Sequence, residues 1–213
     1  MERYDPIKRT RREMLQAAVA MPAAFVLASY ASLSGEGVMP RVFAQAPVLV
    51  PTPACADTND ATLRQTEGPY YKRRSPERTS LLEPGMSPAT MVLTGYVVSR
   101  RCQPVARALL DFWQADAQGH YDNEGYRCRG HQFTDEAGHY RLETVVPGLY
   151  SGRTRHIHVK VQAPNRPILT TQLYFPGEPR NARDGIFNSA LLMEIQDTAE
   201  GQVAAFNFIL DIT

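Results

Sequence analysis

Cysteine is scarce in this chain of 213 residues. Cys55, Cys102 and Cys128 are too few and too widely spaced to form a structural zinc site. Charge of one sign is equally short. The net charge of +1 supplies no basic face for nucleic acid. Beyond residue 46 there are no internal repeats and no low-complexity tracts, so the chain reads as one folded domain long enough to bury a core. Apolar runs are short as well. The longest, residues 15–33, is alanine-rich, broken by Pro22 and only marginally long enough to span a bilayer. Tryptophan occurs once, at Trp113, and histidine five times. Those five are not scattered. His120, His131, His139, His156 and His158 fall in one stretch, a clustering that folding alone does not require.

The first 46 residues read as an export signal. Thr10-Arg11-Arg12-Glu13-Met14-Leu15 is a twin-arginine pattern leading into the apolar run, and Ala44-Gln45-Ala46 is a small-x-small cleavage site. Pro47 is a poor residue just after a cleavage point, which leaves Ser29-Tyr30-Ala31 as the other option. Such a signal places the protein in the periplasm or outside the cell. In that oxidising setting one disulfide and one leftover thiol are expected, with Cys55–Cys102 as the favoured pair. Residues 47–61 are rich in proline and alanine and read as a linker. Residues 62–213 make the folded domain. Within it Gly68-Pro69 marks a turn or an extended path, the tyrosine pair Tyr70-Tyr71 reads as a cap on the core edge, and residues 72–88 read as loop.

From residue 91 the pattern changes to short alternating runs. Strands are expected at 91–99, 108–115, 140–146, 156–163, 168–175 and 203–212, separated by turns rich in Gly, Pro and Asp. Residues 181–194 have room for one short helical turn. The fold class is therefore all-β, an antiparallel β-sandwich with long active-site loops and little helix. In the strand at 156–163 residues alternate between faces. Ile157, Val159, Val161 and Ala163 turn to the core, while His156, His158, Lys160 and Gln162 share the other face. The two imidazoles then lie about 7 Å apart at their α-carbons and can converge on one metal ion.

Five pieces of sequence, in order, carry a resemblance. They are Thr66-Glu67-Gly68-Pro69-Tyr70-Tyr71; Trp113-Gln114-Ala115-Asp116 running on to Gly119-His120-Tyr121; Pro147-Gly148-Leu149-Tyr150; Arg153-Thr154-Arg155-His156-Ile157-His158; and Thr171-Gln172-Leu173-Tyr174-Phe175. Together, from about residue 62 onward, they resemble the intradiol ring-cleavage dioxygenases, non-haem ferric enzymes that open catechols between their two hydroxyls. The resemblance implies Fe(III) held by Tyr121, Tyr150, His156 and His158. Hard, charged oxygen donors suit a ferric ion, and two phenolates with one hydroxide cancel its charge. No carboxylate stands in the spacing that would favour ferrous iron instead.

The resemblance also assigns roles. Tyr150 matches the tyrosine that yields its place to substrate, and Tyr121 the one that stays. Arg153 matches an arginine that stabilises charge developing on the ring, and Gln172 a glutamine that orients substrate. From the residues alone, Tyr126 remains a rival to Tyr121 and Arg155 a rival to Arg153. His120, His131 and His139 read as loop residues, and Trp113 as core. The implied partners are a small catechol and O2, with no nucleic acid, membrane contact only through the export segment, and a homo-oligomer left open. The implied product is a cis,cis-muconate-type diacid. Size places the chain nearer a protocatechuate 3,4-dioxygenase subunit or an exported single-chain branch than the catechol 1,2-dioxygenases. The competing reading is a non-catalytic, transthyretin-like β-sandwich module, which shares the turn pattern Thr134-Asp135 to Tyr140 followed by Pro147-Gly148.

Overall fold

The computed structural model describes residues 60–86, 89–150 and 152–212. The export segment, most of the linker and Cys55 lie outside the described residues. Strands β1 (Thr90–Ser99), β2 (Leu109–Trp113), β3 (Arg129–Phe133), β4 (His139–Val145), β5 (His156–Gln162), β6 (Leu169–Tyr174), β7 (Glu194–Thr198), β8 (Gly201–Ala205) and β9 (Phe208–Leu210) form two sheets. The short helical turn expected near 181–194 is two 3₁₀ turns, Pro179–Ala182 and Ser189–Leu191.

One sheet, in the order β3-β2-β5-β6, is antiparallel throughout. The other is mixed, which corrects the all-antiparallel expectation. β4 and β7 pair antiparallel with β1 and β8, whereas β8 and β9 both run parallel to β1. Period-two alternation is the same in parallel and antiparallel strands, so the sequence pattern does not distinguish them. The run at 203–212, expected as one strand, breaks at Phe206 and Asn207. There the Phe206 carbonyl turns into the space over Gly95, where a Cβ would lie 1.8 Å from its oxygen. Tyr140 donates its hydroxyl to that carbonyl, and Tyr96 N–H donates to Asn207 Oδ1.

The core lies between the sheets. Leu110 and Phe112 of β2, Ile157, Val159 and Val161 of β5, Leu93 and Val97 of β1, and Leu142 of β4 are fully enclosed there. At about 25 cal/mol per Å² of buried apolar surface, this stripe is what fixes which face of β5 turns outward. Residues 62–81 cross the outward face as a strap. Thr62 N–H bonds Ile209 of β9, Gln65 N–H bonds Thr170 of β6, Pro76 and Arg78 bond His131 of β3, and Thr79 and Leu81 bond Glu143 of β4. Between those anchors, Tyr71 and Ser75 donate to the buried Asp111 carboxylate of β2. Lys160 of β5 lies 3.5 Å from the Tyr71 ring centre. Residues 72–86 form no helix or strand, only isolated bridges, so the loop reading stands, and the loop is tied down as a cover.

Candidate metal centre

β5 presents His156 and His158 beneath the strap, both buried. Trp113, the cross-strand partner of His158, stacks on its imidazole with ring centres 4.8 Å apart and planes 7° apart. Thr154 O accepts from His156 Nδ1 at 2.7 Å, which leaves the lone pair on Nε2. The two Nε2 atoms are 3.2 Å apart.

Tyr121 arrives from the loop after β2, and Tyr150 from the loop after β4. These loops are locked together by two glycines. A Cβ on Gly148 would lie 2.3 Å from Gly119 N, and one on Gly119 would lie 2.4 Å from Leu149 O. Asp116 organises the contact, accepting Gly148 N–H through its carbonyl and the N–H groups of Gln118 and His120 through its carboxylate. The result brings the Tyr121 hydroxyl to 3.3 Å from His156 Nε2, and the Tyr121 and Tyr150 rings edge to face at 5.6 Å.

Tyr70, on the strap, joins them. It stacks on Tyr121 at 4.5 Å, and its hydroxyl shares a 2.6 Å hydrogen bond with the Tyr150 hydroxyl. The sequence contained no periodic signal for this residue, because it lies on extended chain outside any strand. The Gly68-Pro69 turn just before it was the available clue. Arg129, also unanticipated, is a fully buried guanidinium that donates to the carbonyls of Tyr70 and Asp122 and so ties the strap to the Tyr121 loop.

Tyr121, Tyr150, His156 and His158 are thus neighbours. The rivals are elsewhere. Tyr126 donates to Arg73 O beneath the Lys72 ammonium. Arg155 pairs with Glu178 at 2.6 Å and bonds the Pro147 carbonyl. His120 is exposed, while His131 and His139, expected in loops, sit in β3 and β4. Arg153 instead lies on the site side, donating to Gln172 Oε1 at 2.7 Å and paired with Asp184 at 2.8 Å. Gln172 also donates to Thr66 O and accepts from Tyr174, so its amide is fixed.

The electrostatics suit neutral imidazoles. Burial, with a smaller contribution from Arg153, pushes His156 down to about 4 against the 2.7 Å bond to Thr154. Burial, then the neighbouring His156, Arg153 and Arg129, pushes His158 well below its ordinary value. Burial raises the Tyr121 phenol, opposed by the Arg153 and Arg129 charges. Among the described residues no group of three or more His, Cys, Asp and Glu side chains is placed to hold a metal. A centre here has to be imidazole with phenol oxygen. His158 Nδ1 is buried without a hydrogen-bond partner. With the proton on that atom, two Nε2 lone pairs lie 3.2 Å apart with the Tyr121 oxygen 3.3 Å from one of them, and a cation relieves that crowding. The donor set therefore fits a hard metal ion.

Comparison with known proteins places the chain among dioxygenases. A family model described as Dioxygenase matches residues 66–212. The dioxygenase domain of a dioxygenase carbohydrate-binding protein fusion from the cellulolytic bacterium Streptomyces sp. SirexAA-E is 55% identical, with a TM-score of 0.71 over 72% of this chain and 100% of that one. Catechol 1,2-dioxygenase of Acinetobacter baylyi is 28% identical over 155 residues, 59% of this chain and 50% of that protein. The protocatechuate 3,4-dioxygenase beta chain of Burkholderia cepacia is 34% identical over 115 residues, 46% of this chain and 49% of that one. The matched stretch spans about half the length of each of these last two relatives.

Proposed function

This chain belongs to the intradiol ring-cleavage dioxygenases, and from that membership we propose that it is a non-haem Fe(III) enzyme. It opens a catechol-type ring between the two hydroxyl-bearing carbons with O2, giving a cis,cis-muconate-type diacid. The observation that carries the reading is the gathering of donors about His156 Nε2, which lies 3.3 Å from the Tyr121 oxygen and 3.2 Å from His158 Nε2, with the Tyr150 ring 5.6 Å from that of Tyr121 and Arg153 held by Gln172, the cross-strand partner of His158.

Tyr121, Tyr150, His156 and His158 would hold the iron. When bound, ferric iron is a Lewis acid that draws electron density from the ring and makes it reactive toward O2. The protein's own groups do the rest. Neutral imidazoles keep their Nε2 lone pairs for the metal at ordinary pH. The Tyr150 oxygen is bonded to the Tyr70 hydroxyl at 2.6 Å, so a phenol that gives up its place to substrate already has a hydrogen-bond partner and can hold a catechol proton there. Arg153 offers a fixed guanidinium to negative charge spreading over the ring. Gln172, locked by Thr66 and Arg153, orients the substrate edge. The strap over β5 limits water at the site.

Metal analysis with a visible spectrum tests this directly. An iron-containing protein with a phenolate-to-iron absorption band, O2 uptake and diacid formation from a panel of catechols is expected. A colourless, iron-free protein would return the chain to the non-catalytic module reading. Export belongs to the same proposal and rests on Arg11 and Arg12 with the apolar run behind them. Replacing both with lysine is expected to leave the protein in the cytoplasm, and unaltered export in a fractionation assay would count against the signal.

A further inference from the structure

Arg153 is gripped at both ends of its guanidinium. Nη2 donates to Gln172, and Nε donates to Asp184 Oδ2 at 2.8 Å. Asp184 sits between the two 3₁₀ turns, with its side chain 2% exposed. The same Oδ2 accepts Thr154 N–H at 2.9 Å, and Oδ1 accepts Ile186 N–H at 3.2 Å. Burial pushes its carboxyl upward, yet the Thr154 N–H, Arg153 and the Ile186 N–H together hold it below the usual carboxylate range. Its loop is also fixed. Asn181 accepts the Thr154 hydroxyl at 2.6 Å and donates to Phe175 O at 2.9 Å, and Tyr174 donates to Ile186 O at 3.1 Å. An anion held this way cannot follow the guanidinium if it swings, so the guanidinium stays where the anion puts it. A lysine at 153 would hold its three donors on one freely rotating nitrogen and would lack the planar fork that fixes a direction between the two acceptors.

We propose that Asp184 is the positioning residue for Arg153: it fixes the direction in which the guanidinium faces a ring bound at Tyr121, His156 and His158, and so sets the rate of the oxygen-dependent step. This rests on the dioxygenase reading above. Asp184 does not touch the ring. It acts through Arg153, and its effect disappears when Arg153 is absent.

The test has one readout that needs no iron. Metal-free protein labelled with 15N-arginine is expected to show a slowly exchanging Nε–H resonance from Arg153, identified by its loss in Arg153→Ala. In Asp184→Asn this resonance is expected to be lost to exchange. In the iron-loaded protein the same variant is expected to slow the single-turnover oxygen step about a hundredfold with anaerobic catechol binding unchanged. Asp184→Glu, which keeps the charge, is expected to recover part of the rate. Adding Asp184→Asn to Arg153→Ala is expected to change nothing further. Melting of each variant confirms that it is folded. A protected Nε–H in Asp184→Asn, an unchanged oxygen step, or an equal loss in the Arg153→Ala background would each overturn the proposal. Iron-free, inactive wild type that keeps the Arg153 resonance would instead overturn the dioxygenase reading, and with it any catalytic purpose for the pair.

Discussion

The two tyrosines of the centre differ in what surrounds their oxygens, and their substitutions should differ accordingly. The Tyr121 oxygen lies 3.3 Å from His156 Nε2, so Tyr121→Phe removes a donor from the candidate centre and is expected to purify with little iron. The Tyr150 oxygen bonds Tyr70. Tyr150→Phe is expected to keep part of its iron and lose activity by about a hundredfold or more, the usual scale for a lost proton-transfer partner. Iron content and turnover measured side by side separate the two. Wild-type turnover in Tyr150→Phe would remove the displacement step. The histidines give a pH dependence with a definite sign. His156 is held down to about 4 in the folded state, against 6.5 when exposed. In that window the unfolded chain binds the extra proton, so stability falls as pH drops from about 6.5 toward 4 and is fully present above it. For His156 alone the loss is about 3 kcal/mol. Thermal melts of metal-free protein through that range should show the decline, and His156→Gln should make it shallower, leaving the part that His158 contributes. A melting temperature independent of pH across the window would mean that the imidazole is not buried neutral.

At the scale of elements, the centre depends on two loops touching through glycine. Gly148→Ala places a methyl 2.3 Å from Gly119 N and 2.5 Å from Ala117 O, both backbone atoms that cannot step aside. The loops must part, carrying Tyr121 and Tyr150 with them. The expected result is a folded protein, less stable by about 1–3 kcal/mol, with weakened iron binding. Far-ultraviolet circular dichroism and chelator competition would show it, and normal iron affinity would mean that the loop contact does not set the tyrosines. The same scale explains what the sequence disclosed. β1, β2, β4, β5 and β6 alternate because one face of each is buried, and all five were legible. β3 and β7 were not. Both are edge strands, and Arg129-Gly130-His131-Gln132-Phe133 and Glu194-Ile195-Gln196-Asp197-Thr198 carry the polar residues that edges tolerate, with no apolar face to mark a period. How the strap is anchored was illegible for a related reason. Its backbone bonds reach β9, β6, β3 and β4 in turn, and such long-range pairings leave no local signature.

Across the whole molecule, the sheets divide the work. The mixed sheet buries its apolar face and supports, while the antiparallel sheet carries the candidate centre on the face that the core leaves over. Residue types and the spacing of the histidines pointed to that chemistry. The neighbours that tune it, Tyr70, Arg129 and Asp184, come from distant chain positions and became visible only in the fold. Cysteine follows the same division. Cys102 is in a disulfide, its expected partner Cys55 lies outside the described residues, and Cys128 is a buried thiol raised to about 11, chiefly by burial. The donors of the centre come from two loops and one strand, with the strap folded against them, and such an arrangement exists only in the native state. A metal bound there stabilises the fold by mass action. Free iron at a hundred times its dissociation constant should add about 2.7 kcal/mol, or about 5–10 °C in melting temperature for a domain of this size. The gain should grow with iron concentration, shrink in His158→Ala and vanish with chelator. Melting that ignores iron at every concentration would mean that the four side chains, though adjacent, do not share one ion.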